Sequence, residues 1–112
     1  MSNKLSSEKV DEIKNMFPAI PEEYFDFMRD IGWGNFSNNL MLYSAPVTPD
    51  EIYGDDYPDV ISRILIFGDD FNGRCFGWDT SNEFSIGEID PIEFSFELVN
   101  SNFKEFVLEK IN

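Results

Sequence analysis

The chain has 112 residues, of which 42% are hydrophobic and 16% aromatic, and its formal net charge is −14 from 22 acidic and 8 basic residues. The aromatic content predicts a single folded domain over residues 1–112, and the charge argues against direct binding to nucleic acid or to an anionic membrane, because both would repel it. One cysteine and no histidine leave no material for disulfide frameworks, zinc sites or histidine-based catalysis.

The first 15 residues are polar and mixed in charge, and no run approaches the roughly 18 apolar residues of a membrane span. We therefore expect a cytoplasmic protein that needs no cofactor. The surplus of acids has two explanations. It attracts a basic partner, or it only keeps the protein soluble.

Two helices are predicted first. Apolar residues recur at near-helical spacing after a possible cap at Ser6, which predicts a helix over 7–16. Pro18 ends this helix, and Pro21 opens a second one at its first helical position. Gly32 follows the last apolar residue of that helix and predicts a left-handed stop.

A short strand is predicted at 40–43, and the motif TPDE at 48–51 is typical of a capping box that begins a helical turn near 49–53. The segment YGDDYPD at 53–59 predicts an exposed acidic loop. Four further runs, at 64–67, 74–79, 84–89 and 92–98, have the spacing of an antiparallel meander. In the last run, apolar residues alternate with polar ones and predict one buried face: Ile92, Phe94, Phe96 and Leu98.

A closing helix follows, capped by Ser101 or Asn102, with four residues in its buried stripe: Phe103, Phe106, Val107 and Ile111. Helices first, then strands, then one helix predict an α+β domain. In it, helices pack on one face of a mostly antiparallel sheet.

The segment GDDFNGRCFGWD at 68–79 raises the question of a metal or thiol site. With Gly73 at the sixth position of a calcium loop, Gly68 falls at the first position, where a ligand is required. This favours a hairpin connection with Gly73 at positive φ. Cys75 lies in a predicted strand without a histidine base, which favours a buried thiol. We expect no enzymatic activity.

Candidate contacts to a partner are the loop residues Asp55, Asp56 and Asp59 and the turn residues Asp69 and Asp70. The two groups flank the strand at 63–67 at opposite ends, so the sequence does not establish one continuous patch. Carboxylates in such places steer a basic partner, although ordinary solvated loops have the same composition.

Two aromatic residues are possible anchors for that partner: Trp33 and Tyr57. Trp33 stands between two glycines in a predicted loop, and packing against the sheet is its alternative role.

The ordered series IGWGNF, LMLYS, ILIFGDDFNGRCFGWDT, FSIGEID and SNFKEFVLEKI, from about Pro18 to Ile111, resembles the SUKH superfamily of fungal cell-wall synthesis regulators and bacterial immunity proteins. The resemblance implies an α+β fold. Its signature positions map mostly onto scaffold residues: Pro21, Gly32, Gly34, Asp70, Gly73, Phe103 and Phe106.

By this resemblance, the leading hypothesis is an immunity protein that neutralises a cognate bacterial toxin, such as a nuclease, by covering its active surface. A second hypothesis is a regulatory scaffold that binds an endogenous partner. A third is a domain that binds a small ligand or calcium.

Overall fold

The computed structural model describes residues 3–111, which form four α-helices and one six-stranded sheet. In chain order the elements are α1 (Ser7–Met16), α2 (Glu22–Asp30), β1 (Gly34–Ser37), β2 (Leu40–Val47), α3 (Pro49–Tyr53), a 3-10 turn (Asp59–Ile61), β3 (Ile64–Asp69), β4 (Cys75–Asp79), β5 (Ser85–Ile89), β6 (Phe96–Leu98) and α4 (Phe103–Ile111). Every strand pairs antiparallel with its chain neighbour, in the order β1 to β6. The predicted α+β class is confirmed.

Local capping chemistry sets the helix starts. The Ser6 side chain accepts a hydrogen bond from the Lys9 amide at 3.2 Å, and α1 has the predicted bounds. Pro21 precedes the first residue of α2 instead of occupying it, because its extended ψ of 140° places it at the cap. Gly32 has φ +104°, as expected for the stop. It also lies so close to the Asn3 carbonyl that a Cβ would collide with it.

The main core lies between the sheet and the helices α1, α2 and α4, and its centre is aromatic. Tyr24 from α2, Phe67 and Trp78 from the sheet, and Phe103 and Phe106 from α4 are all fully buried. The ring centroids of Phe67 and Trp78 are 4.8 Å apart, and those of Phe67 and Phe103 are 5.1 Å apart. These contacts fix α4 across the middle of the sheet.

The opposite face of the sheet, called here the second face, is also buried. Its centre is a small cluster of Ile61, Ile64, Ile66, Cys75 and Ile89. Partly buried side chains cover the cluster: Tyr43, Val47, Tyr53, Tyr57, Phe94 and Phe96. The longer helices therefore lie on one face as predicted, whereas α3 and the loop after it cover the other.

The predicted strand at 92–98 is wrong in its first half. Ile92 is 86% exposed, Leu98 is 60% exposed, and only Phe96–Leu98 is a strand. The cause is Asp90, whose Oδ1 accepts hydrogen bonds from the amides of Ile92 at 2.8 Å and Glu93 at 2.9 Å and closes a turn. Phe94 leaves that turn with φ +58°, so the apolar alternation does not correspond to one face.

The other differences concern sheet and helix edges. β1 occupies a segment predicted as loop, and β2 extends four residues beyond the predicted end at Tyr43. Both differences arise because pairing with neighbouring strands recruits polar or weakly apolar residues into a ladder. Ile111, predicted to be buried, is exposed at the end of α4.

Candidate functional site

Residues 48–61, called here the acidic segment, concentrate negative charge without compensation. The segment contains no lysine or arginine and five acids: Asp50, Glu51, Asp55, Asp56 and Asp59. All five are exposed, and none forms an ion pair with the residues that the structure describes. Carboxylates this close together create a local negative potential that attracts cations.

Charge is balanced differently elsewhere in the protein. Within residues 3–111, six of the eight basic side chains form ion pairs with acids: Lys9, Lys14, Arg29, Arg63, Arg74 and Lys110. All six lie outside the acidic segment. The acidic segment therefore contributes −5 of the net charge of −14, although it contains only 14 of the 112 residues.

The acidic segment is held in place by a helix cap. The Thr48 amide donates to Glu51 Oε2 at 2.8 Å, and the Thr48 side-chain oxygen accepts from the Glu51 amide, so the predicted capping box is present. Gly54 ends α3 with φ +77°. The chain then turns its tyrosines inward and its aspartates outward.

Two exposed apolar side chains lie among these carboxylates. Ile52 is 37% exposed and Val60 is 49% exposed. Apolar contacts surrounded by charge are typical of a protein-binding surface, since the apolar groups give affinity and the charges give orientation.

A hydrogen-bonded layer supports the acidic segment from below. The Tyr53 hydroxyl donates to Cys75 Sγ at 3.2 Å, and the Tyr43 hydroxyl donates to Asp69 Oδ2 at 2.6 Å. Cys75 and Asp69 are directly paired across β3 and β4. Burial, reinforced by these hydrogen bonds, raises the pKa of both tyrosine hydroxyls, so both remain protonated donors at neutral pH.

Cys75 is buried, as predicted from its strand position. Burial raises the pKa of its thiol, and the hydrogen bond from Tyr53 offsets only part of that effect. The thiol is therefore protonated at neutral pH, and its environment differs from the electropositive, accessible sites in which cysteines act as nucleophiles.

The structure places the predicted aspartates in two settings. Asp55, Asp56 and Asp59 are exposed on the acidic segment. Asp69 and Asp70 instead build the β3–β4 turn. Asp69 Oδ1 accepts from the Phe71 amide at 3.0 Å, and Asp70 Oδ1 accepts from the amides of Asn72 at 2.8 Å and Arg74 at 3.1 Å.

The acidic segment lies on the second face, along β3. It begins after Val47, which pairs with Ile66 in β3, and it reaches the end of β3 where Tyr53 donates to Cys75. It then returns to the start of β3, because Ile61 lies three residues before Ile64. Asp59 and Asp69 are thus at opposite ends of β3, as the sequence predicts.

Both predicted aromatic anchors are half-buried. Trp33 packs against the main core, and its backbone pairs with Asn3 through hydrogen bonds of 3.1 and 2.9 Å. Tyr57 packs against the cluster on the second face. Sequence reasoning omitted Asp50, Glu51, Ile52 and Val60 from the site, although the absence of lysine and arginine from residue 30 to residue 62 points to this region.

Among residues 3–111, no group of three or more aspartate, glutamate or cysteine side chains is arranged to hold a metal ion. Within the same range, none of the helices has both the length and the apolar character required to cross a bilayer. Gly73 has φ +95°, as the hairpin interpretation of the 68–79 segment requires.

Comparisons with protein-family models, with curated proteins and with solved structures found no match to this chain. The resemblance to the SUKH superfamily therefore stays a prediction.

Proposed function

We propose that this chain is an immunity protein that binds a cognate bacterial toxin in the cytoplasm of the producing cell and covers the toxin's basic surface with the acidic segment. The observation that carries the proposal is the set of five exposed carboxylates around Ile52 and Val60, none of which forms an ion pair within the part of the chain that the structure describes. No covalent chemistry is required of the inhibitor, since it acts by occupying the surface that the toxin uses for its substrate.

Electrostatics explains why such a surface would suit a nuclease toxin. An enzyme that acts on nucleic acid needs a cationic groove, and exposed carboxylates compete with phosphates for that groove. Unpaired charges speed the encounter and orient it, whereas the apolar side chains limit dissociation. Pairing each carboxylate with an internal lysine or arginine would remove this advantage.

Preorganisation also supports the proposal. Tyr53 and Tyr57 anchor the acidic segment to the second face, and the Thr48 capping box fixes its beginning. A surface that is already ordered loses little conformational entropy on binding, so more of the contact energy appears as affinity. The anchoring tyrosines contribute through rigidity, and the aspartates make the contacts.

The test is affinity capture from the producing strain with the wild-type chain and two variants of equal charge. The first variant carries Asp55→Lys, Asp56→Lys and Asp59→Lys. The control variant carries Asp11→Lys, Asp30→Lys and Glu109→Lys, three exposed acids on the helices of the other side. Circular dichroism checks that both variants fold.

We expect the wild-type chain and the control to retain a basic toxin that the first variant loses, and to protect cells that express the toxin. Retention of the same toxin by the first variant, at equal affinity and with equal protection, would refute the role of the acidic segment. Capture of only a non-toxic endogenous protein would favour the regulatory scaffold instead.

A further inference from the structure

The turn between β3 and β4 contains the dipeptide Asn72–Gly73, whose two residues are able to react with each other. Asn72 is the only asparagine of the sequence that is followed by glycine. A backbone amide nitrogen attacks the side-chain carbonyl carbon of a preceding asparagine most easily when its own residue has no Cβ to obstruct the approach. The sequence therefore contains one asparagine whose carboxamide is open to attack from the following residue.

The fold leaves this dipeptide accessible. Asn72 and Gly73 are both exposed at the tip of the turn. A Cβ built on Gly73 would have only the Pro91 Cβ within 4 Å, at 3.4 Å. Little of the described protein therefore crowds the reacting atoms.

Neither reacting group is held by a hydrogen bond. Asp70 orders the turn, because its Oδ1 accepts from the amides of Asn72 at 2.8 Å and Arg74 at 3.1 Å. The amide of Gly73 and the carboxamide of Asn72, in contrast, have no hydrogen-bond partner among residues 3–111. The carboxamide is thus able to rotate toward the Gly73 nitrogen without breaking a contact of the fold.

Asn82 provides a matched comparison within the same chain. It is exposed in the turn between β4 and β5, but Glu83 follows it instead of glycine. Asn102 is held more firmly, since its Oδ1 accepts from the Glu105 amide at 2.9 Å. Asn72 is distinguished from both by exposure combined with a following glycine.

We propose that Asn72 is a site of spontaneous deamidation, with water as the only co-reactant. The Gly73 nitrogen loses its proton and attacks Asn72 Cγ, and the bond between Cγ and the side-chain nitrogen breaks. That nitrogen takes up a proton and leaves as ammonia, so that a succinimide ring remains. Water then opens the ring at either of its carbonyl carbons and leaves aspartate or isoaspartate at position 72. No atom is oxidised or reduced.

Both products change the turn. A carboxylate at position 72 joins those of Asp69 and Asp70, so the net charge becomes one unit more negative than −14. Isoaspartate also routes the main chain through its Cβ, which lengthens the loop that the Asp70 amide closes by donating to the Arg74 carbonyl at 3.1 Å. This site is separate from the acidic segment and does not depend on toxin binding.

The test is incubation of the purified protein at pH 8, followed over time by trypsin digestion and mass spectrometry. Trypsin cuts after Arg63 and Arg74 and releases the peptide 64–74, in which Asn72 is the only asparagine. We expect this peptide to gain the mass that separates a carboxylic acid from an amide and to become a substrate of an isoaspartate methyltransferase. Asn82 should react at least about tenfold more slowly, because the side chain of Glu83 obstructs its amide nitrogen. A digest made before incubation measures any conversion that the digestion itself causes.

Two variants complete the test. Asn72→Gln should abolish the mass gain in peptide 64–74, because glutamine would have to close a larger ring, whereas Asn82→Gln should leave the gain unchanged. The wild-type rate should rise by up to about tenfold from pH 7 to pH 8, since the attacking nitrogen must lose a proton.

The chain unfolded in guanidinium serves as the positive control for the reaction. If peptide 64–74 of the native protein gains no mass over the time in which the unfolded chain converts, the turn protects Asn72 and the proposal is overturned. Equal rates at Asn72 and Asn82 in the native protein overturn it as well.

Discussion

Glu88 joins the sheet to the last helix, and replacing it by glutamine should measurably destabilise the protein. The Glu88 side chain is only 12% exposed. Its Oε1 accepts from Arg74 Nε at 2.6 Å, and its Oε2 accepts from Lys110 Nζ at 2.9 Å. Arg74 precedes β4 and Lys110 lies in α4, so one carboxylate connects three parts of the fold.

The loss of stability depends on which interactions Arg74 and Lys110 keep after Glu88 is replaced. In Glu88→Gln, Arg74 still pairs with Glu97 at 2.9 Å and with Asp90 at 3.6 Å. Lys110 loses its carboxylate but keeps its position over the Phe76 ring, 4.9 Å from the centroid. The loss should therefore be smaller than the ~3–5 kcal/mol of a stranded buried charge. We expect a decrease of about 1–2 kcal/mol in the free energy of unfolding.

The effect should depend on pH in a defined direction. Burial alone would raise the pKa of Glu88, but hydrogen bonds from Lys110 and Arg74 outweigh burial and lower it. A folded-state pKa below the unfolded value of about 4.3 means that ionised Glu88 contributes stability at neutral pH. That contribution is lost as the pH falls below the unfolded value and through the folded-state pKa, so the difference in stability between the wild-type protein and Glu88→Gln should shrink at acidic pH.

Urea unfolding followed by circular dichroism at pH 7 and at acidic pH measures both effects. Glu12→Gln is the control, because Glu12 pairs with Lys9 at 3.4 Å on the exposed surface of α1 and should change stability by less than about 0.5 kcal/mol. If Glu88→Gln equals this control at pH 7, or keeps its full deficit at acidic pH, the reasoning from the Glu88 contacts is wrong.

Two further predictions test the interior. Cys75 is the only cysteine in the sequence, and in the native protein its thiol is buried and protonated. A thiol reagent at pH 8 should therefore label the native protein far more slowly than the urea-unfolded chain. Equal labelling rates would contradict this account. In Gly77→Ala, the added Cβ would lie 2.6 Å from the Leu65 carbonyl oxygen and 2.8 Å from Ile64 Cγ2, which should lower the free energy of unfolding by about 1–3 kcal/mol. An unchanged urea midpoint would show that β3 and β4 accommodate the added Cβ without a loss of stability, and it would refute this prediction.

Features set by short-range chemistry were predicted well from the sequence. Ser6 and Thr48 cap helices at the expected residues, and Asn102 caps α4 through reciprocal hydrogen bonds with Glu105 at 2.9 and 3.1 Å. Such motifs need only three or four consecutive residues to form. The order of the later strands also followed from turn residues between apolar runs.

Features set by distant residues were not predicted. β1 has no apolar run, and it is a strand because Leu42 and its neighbours in β2 supply a ladder. The alternation at 92–98 resembles a buried strand, but the side chain of Asp90 captures two amides and turns the chain. Pairing partners and local side-chain bonds compete, and the pattern alone does not decide between them.

In the candidate site, too, features set by neighbouring residues were predicted and features set by distant residues were not. The acidic loop was predictable because its aspartates are clustered in the sequence. The inward packing of Tyr57 was not predictable, because it depends on the apolar cluster that the fold assembles on the second face. A cavity lined by Trp78, Glu83 and Ser101 had no signal in the sequence, because these residues come together only when the sheet and α4 are assembled.

The position of α4 makes the aromatic core depend on contacts between distant parts of the sequence. Phe103 and Phe106 from α4 pack against Phe67 from β3, with ring centroids 5.1 and 5.8 Å apart. Closing so long a stretch of chain costs loop entropy before the contacts repay it, so we expect the docking of α4 on the sheet to be a late step in folding.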